Sequence, residues 1–526
     1  MNNVQKAVVI VIAVVLCAGV AYTVLGNDDG ETSRFDEIDL LSLEGLQEMS
    51  PTEALDGLTS RADTLVSEAS DGNLSRNAMS MYVDELMTFY DDTLVSYMLF
   101  TWEYNRDPSG LSEEYSLWES FVSQGPETIS EAFRSVLNGP GADTLRSVIG
   151  DEYADSVLAE EPLTDEELQL ITAEAEAQDR YYNADPSDAE TIAGIYGELI
   201  DIRENLAGLL GYESYSEYAY EELYGRGYSS EDTEAFKETV KEVFVPLFYL
   251  VLEDYEGRPS YSYSSEEELF ADGGEFIRGV CPEFAELYDT MLGYDLIDFE
   301  DLDTKVDTGF CFFQALSDGS DFVYIYNNPN GTYYDLCTLV HEFGHASAAA
   351  LSWSPTTDYD VMEVQSQGLE ALFSVYCEML GDTAEAEYTI FQFLYVTIEG
   401  CFWDDFQQIA YQEGADTVDE FDAIIERLEQ EYGYASTIEW YELSHNFSSP
   451  FYYISYAVSA FSSLEVFVDA LDDYDAAVDQ YLDVVAFSHG YLDMVETLGM
   501  ANPFDRNEAM TVAEGLLDWI VSAQAS

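Results

Sequence analysis

The chain has 526 residues, 106 of them acidic and 17 basic, for a formal net charge of −89. That balance excludes nucleic acid as a partner and is repelled by anionic membrane surfaces. With 47% hydrophobic residues and many aromatics, the chain is too apolar to be disordered and can bury a large core.

Residues 7–26 are apolar throughout, with Lys6 just before them. Such a run is long enough to span a bilayer and also fits a secretory signal. Lys6 on the short side predicts an inside N-terminus and an outside body. Residues 1–26 are therefore expected to be a signal peptide or an N-terminal signal anchor, and 27–34 a polar linker. The protein is then extracytoplasmic: membrane-anchored by residues 7–26, or secreted if the segment is cleaved. Residues 35–180 read as acidic amphipathic helices forming one lobe, and 181–526 as the catalytic region. No 20–50-residue repeat and no internal linker divides them. The acids are spread along the whole chain, which reads as a solvated surface adapted to salt or to an extracellular milieu. Beyond Cys17 the cysteines are Cys281, Cys311, Cys337, Cys377 and Cys401, with no C-x-x-C spacing, so neither a disulfide framework nor a second metal site is expected.

Residues 321–326, Asp-Phe-Val-Tyr-Ile-Tyr, read as a short edge strand. The Asn327-Asn-Pro-Asn-Gly331 turn follows, and Thr332 to Asp335 resembles a capping box. Leu336, Leu339, Val340, Phe343, Ala346 and Ala350 then supply a helical apolar stripe, which Ser354-Pro355 should end. This helix carries His341-Glu342-Phe343-Gly344-His345, two of only four histidines in the chain. Residues four apart on a helix lie roughly 6 Å apart on one face, so both imidazoles can hold one zinc ion, with Glu342 beside them as general base. A third ligand is needed from a second helix. Glu363 and Glu370 are two turns apart on one face; Glu363 is read as the ligand and Glu370 as the acceptor that orients a histidine ring.

The segment from Asn330 through His345 resembles the thimet oligopeptidase and oligoendopeptidase F family of zinc metallopeptidases. So do Glu363-Val-Gln-Ser-Gln-Gly-Leu-Glu370, the stretches 198–212 and 218–228, and the downstream run from His445 to Tyr456. The resemblance extends over about residues 190–510. Ala348 and Ser459 depart from it, where the family tends to have histidine and glycine. It implies a mainly α, two-lobed fold with a deep substrate channel and a small β-sheet beside the zinc helix. It further implies one zinc per chain, short unfolded peptides as substrates and a monomer. Zinc lowers the pKa of a water from about 16 to about 7. Glu342 would take the proton as water attacks a peptide carbonyl. Tyr456 first, and Tyr453 second, would face the developing oxyanion, with His445 donating to the substrate backbone. The alternatives are a zinc exopeptidase of carboxypeptidase type on the same fold, or a non-catalytic zinc-bearing peptide-binding protein. The fourth histidine, His489, reads as a surface residue.

Overall fold

The acids that dominate the composition also start the helices. Ser50 with Glu53, Thr164 with Glu167, Ser229 with Asp232, Thr332 with Asp335 and Thr417 with Glu420 all form capping boxes. In each, a hydroxyl and a carboxylate satisfy N–H groups that the first turn leaves open, and the negative charge sits at the favourable end of the helix dipole. The computed structural model describes residues 35, 38–43 and 49–523, apart from 160–163, 255–256, 258, 307, 317–319 and 353–355. The expected anchor or signal over 1–26 and the linker at 27–34 lie outside the described residues.

The chain is mainly helical. Helices α1 (Pro51–Ala69), α2 (Arg76–Arg106), α3 (Ser112–Leu137), α4 (Ala142–Ile149) and α5 (Asp151–Ala159) pack on one another. Helices α6 (Asp165–Asn183) and α7 (Ala189–Leu210) pair next. The short α8 (Tyr215–Tyr218) runs into one π-helical turn, Ala219–Leu223. Helix α9 (Ser230–Thr239) continues through a second, Val240–Phe244, into α10 (Val245–Asp254). Helices α11 (Glu266–Val280) and α12 (Pro282–Gly293) lead to three strands, β1 (Ile297–Asp298), β2 (Gly309–Ala315) and β3 (Asp321–Asn327). The rest is helical: α13 (Tyr333–Leu351), α14 (Tyr359–Met379), α15 (Ala384–Glu413), α16 (Val418–Tyr432), α17 (His445–Ser448), α18 (Tyr453–Asp472), α19 (Tyr474–Val485), α20 (Tyr491–Leu498) and α21 (Arg506–Ala523).

The sheet order is β1-β3-β2, with β1 parallel and β2 antiparallel to β3, so that Phe312 faces Tyr324. The run at 321–327 is thus the middle strand, not an edge. Its composition fits that place: six of its residues in a row are buried, as in a strand covered on both faces, whereas β2 alternates buried and open positions. Both strands lie against α13. The sheet is tied to the N-terminal helices by buried charge. Arg106 and Lys305 both reach the Asp298 carboxylate, at 2.6 and 2.7 Å, and Trp102 donates to it at 2.8 Å.

Helix α13 begins where its sequence says, at Thr332, and ends at Leu351, capped by Ser352. The Asp335 carboxylate accepts from the backbone N–H of Asn330, Gly331 and Thr332 and from the Tyr263 hydroxyl, which fixes the turn between β3 and α13. Helix α18 packs against both α14 and α15. It is long and apolar enough to cross a membrane by composition, but most of its surface is buried in the core.

Candidate metal centre

Helix α13 presents His341 and His345 on one face, with ring centroids 5.0 Å apart and planes nearly perpendicular. Helix α14 crosses close behind. At Gly344, between the two histidines, a Cβ would lie 2.6 Å from the Gln365 carbonyl oxygen and the Ser366 Cα. Only glycine permits that approach. It brings Glu363 Oε2 to 3.8 Å from His341 Nε2 and 4.0 Å from His345 Nε2.

One donor atom from each of the three residues lies within 4.8 Å of the others. Tetrahedral zinc with bonds of about 2.0–2.1 Å draws its donors to roughly 3.3 Å of one another, so the Glu363 oxygen, at 3.8 and 4.0 Å from the two ring nitrogens, stands about 0.5–0.7 Å wide of that spacing. The donor chemistry fits as well. His341 Nδ1 is 2.7 Å from Glu370 Oε1, which places the ring proton there and leaves the Nε2 lone pair toward Glu363. Burial opposes charge on His341, but the Glu370 carboxylate, with Glu342 and Glu363 nearby, prevails and raises it to about 10, so without metal the ring is protonated and a metal ion must displace the Nε2 proton to bind. At His345, burial and then the neighbouring His341 depress the imidazolium, favouring the neutral ring that a metal needs. Burial raises Glu363, against the pull of His341 and a hydrogen bond from Ser366.

Glu342 is buried between α13 and β2. Burial pushes its carboxyl up to about 7, with His341 opposing and Glu363 adding to the rise. A base poised near neutrality suits proton transfer to and from water. Strand β2 lies directly over it: a Cβ on Gly309 would come within 3.7 Å of Glu342 Oε1, and the Glu342 charge adds to the burial that raises the Cys311 thiol.

The segment 445–456 closes the other side. The His445 ring stacks on Tyr452 at 5.9 Å and meets Tyr453 and Tyr456 edge-on at 4.9 and 6.1 Å. Burial alone lowers His445 to about 4, and its Nε2 has no hydrogen-bond partner among the described residues. The two tyrosines diverge. Burial raises both phenols, but the next largest influence on Tyr456 is Glu363, and on Tyr453 it is Glu399. Tyr456 thus feels the Glu363 carboxylate most and Tyr453 the Glu399 carboxylate of α15, while their rings lie 5.4 Å apart, edge to face. His489 is exposed.

Sequence reasoning passed over Tyr452, whose hydroxyl donates to Glu363 Oε1 at 3.4 Å. Among 40 tyrosines, nothing in its spacing singled it out. It also passed over Arg203 and Arg226, both buried against this segment. Their scarcity was the available signal, since cations are few in this chain and two of them fall in the stretches at 198–212 and 218–228.

No protein-family model matches the chain, and no curated protein matches it. Solved structures do. A chain described as an oligoendopeptidase F from Bacillus anthracis str. Ames is 18% identical, with a TM-score of 0.71 over 92% of this chain and 99% of that one. PZ peptidase A with an inhibitor is 17% identical, with a TM-score of 0.70 over 91% of this chain and 99% of that one. A chain described as a peptidase from Chlamydophila abortus is 14% identical, with a TM-score of 0.62 over 92% of this chain and 100% of that one. Over about nine-tenths of its length, the chain has the fold of the oligoendopeptidase F and PZ peptidase structures.

Proposed function

We propose that this chain is a zinc-dependent endopeptidase acting on short unfolded peptides. The observation that carries the proposal is the convergence of His341, His345 and the Glu363 carboxylate beside a buried Glu342. His341, His345 and Glu363 would hold one zinc ion, which when bound supplies Lewis-acid polarisation of the scissile carbonyl and acidifies a water. Glu370, accepting from His341 Nδ1, would hold the ring in the tautomer that leaves Nε2 free for a metal ion. Glu342 accepts a proton from the attacking water and returns it to the leaving amine. Tyr456 on α18, within the electrostatic reach of Glu363, would donate its phenolic hydrogen to the oxygen on which charge develops. Neutral His445 would donate to the substrate backbone, and Tyr453, whose largest carboxylate influence is Glu399 rather than Glu363, would contribute less. The names of the structures that share the fold, oligoendopeptidase and peptidase, agree with this reading.

Residues 35–180 and 181–526 would form the two walls of a substrate cleft. The protein would act as a monomer outside the cytoplasm, with residues 7–26 as an anchor or a cleaved signal. The test is a mixed peptide library incubated with zinc-loaded protein and read by mass spectrometry. Internal cleavage of short peptides supports the endopeptidase. Stepwise loss from the C-terminus would favour a carboxypeptidase, and no cleavage a zinc-bearing binding protein.

A further inference from the structure

In a chain with 17 basic residues, two arginines are buried against one twelve-residue segment, 445–456. Arg203 on α7 donates to the Asn446 carbonyl at 3.2 Å, to the Phe447 carbonyl and to the Tyr411 hydroxyl at 3.0 Å, and pairs with Glu174 at 2.7 Å. It holds the His445 end. Arg226, in the loop after the first π-helical turn, holds the tyrosine end. Its Nη2 donates to the Phe451 carbonyl at 2.9 Å and to Ser455 Oγ at 2.7 Å. Its guanidinium lies over the rings of Tyr220 and Tyr224, at 4.5 and 4.6 Å from their centroids. Its Nε is 3.9 Å from Asp360 Oδ1, and Asp360 also accepts from the Tyr228 hydroxyl at 2.6 Å.

Asp360 lies in the first turn of α14, three residues before Glu363. One guanidinium thus touches the helix that carries a proposed metal ligand and the turn that aims the tyrosines. That turn is strained. Phe451 has φ +64°, a left-handed conformation disfavoured for any residue with a Cβ. Its N–H is held by the Gln407 side chain and its carbonyl by Arg226. Such strain persists only where the surroundings enforce it, and it clusters at functional sites.

We propose that Arg226 is a positioning residue. It fixes the turn at 451–455, and through it the Tyr456 phenol, at a set distance from the Glu363 helix. Arginine suits this place better than lysine, because its flat guanidinium stacks on the Tyr220 and Tyr224 rings while Nη2 reaches two acceptors on different residues; lysine offers a compact point charge on a flexible stem. The inference rests on the peptidase reading for its kinetic consequence, but not for its geometry.

The test places Arg226→Lys and, separately, Ser455→Ala in the native and in the Tyr456→Phe chain. Arg226→Lys is expected to lower kcat about 10- to 100-fold, with KM within about threefold and zinc content unchanged. In the Tyr456→Phe chain the same substitution should change kcat less than about twofold, because the phenol it positions is no longer there. Ser455→Ala deletes one acceptor at little cost in volume. It should show the same pattern with a loss of a few fold, and it decides the matter should Arg226→Lys fail to fold. Fluorotyrosine placed at position 456 gives a readout independent of turnover: its fluorine resonance should shift or split in Arg226→Lys or Ser455→Ala. Equal kcat losses in both backgrounds, native kcat in the folded variants, or an unmoved resonance would each overturn the proposal. Absence of turnover in the native zinc-loaded chain refutes the peptidase reading instead, and the fluorine resonance then decides the positioning role alone.

Discussion

Replacing Gly344 by alanine is expected to loosen metal binding far more than it unsettles the fold. The added Cβ would lie 2.6 Å from the Gln365 carbonyl oxygen and Ser366 Cα, whereas ordinary contacts begin at 3.4 Å. Both obstacles are backbone and cannot rotate away, so α13 and α14 must part by roughly 0.8 Å, since packed interiors have no slack to absorb it. Overpacking of this kind costs about 1–3 kcal/mol. Alanine in a helix interior returns about 0.5–1 kcal/mol. Unfolding entropy is about 2.1 cal/mol/K per residue, or roughly 1 kcal/mol/K for a chain of this length, so Tm should fall by no more than about 3 °C. The metal site is far less tolerant, because zinc–ligand distances hold within about 0.2 Å. His341 and His345 flank the glycine on one helix, and Glu363 stands two residues before Gln365 on the other. Parting the helices therefore spreads the donors directly. Zinc affinity should fall about 10- to 100-fold, the range seen when support for a metal ligand is removed. Competition against a chromophoric chelator measures the affinity, and a thermal melt of the metal-free protein measures the fold. Native zinc affinity in a folded Gly344→Ala protein would refute the reasoning.

Glu342→Gln should retain one zinc per chain and lose nearly all peptide turnover, measured by metal analysis beside a quenched-peptide assay; activity within tenfold of native would remove Glu342 from the mechanism. Tyr456→Phe should lower kcat roughly 10- to 1000-fold with a smaller change in KM, and Tyr453→Phe less, since the Glu363 carboxylate acts on Tyr456 and Glu399 on Tyr453. Glu370→Ala should weaken zinc binding about 10- to 100-fold, because the His341 ring loses the acceptor that fixes it. With so few cations, Tm should climb as sodium chloride rises past about 0.15 M toward 1 M, where the screening length shortens to about 3 Å; a flat or falling Tm would show that the acids are locally paired. Stability should also rise on mild acidification of the metal-free protein. Burial raises the Glu465 carboxyl to about 7, and burial with Asp360 beside it raises Asp358. A carboxyl raised on folding favours the folded state below its unfolded pKa, and that contribution is lost as pH climbs through the folded value. His345 and His445, lowered on folding, oppose this as pH falls through about 6.5, but the raised carboxyls, with Glu342 and His341 also raised, outweigh them, so Tm should be higher at pH 5.5 than at pH 8, and a fall on acidification would contradict this balance.

How much of this could be read in advance depends on whether the determining contacts are local. The start of α13 was legible because a capping box is a four-residue device, and Thr332 and Asp335 carry it whole. The histidine spacing and the shared face of Glu363 and Glu370 follow from helix geometry alone. The place of the 321–327 strand did not, because its rank is set by pairing with β1 and β2, segments that local pattern alone does not order beside it. The buried run was nonetheless the mark of a middle strand. Tyr452 was missed for a related reason. It stands one turn before Tyr456, with a helical backbone and its ring 5.1 Å from that of Tyr456, but its contact is with Glu363 on another helix, 89 positions away, which no local spacing announces. Arg203 and Arg226 act on carbonyls more than 220 positions away in the chain, and no periodicity can announce such contacts.

One zinc ion, held by His341, His345 and Glu363, is expected to switch on peptide hydrolysis. Zinc titrated into metal-free protein, with cleavage of a quenched peptide followed throughout, tests it. Activity should be absent at the start, rise in proportion to added zinc and break at one equivalent per chain. Cleavage by the metal-free protein, or zinc bound at one equivalent with no cleavage of any peptide, would contradict the account.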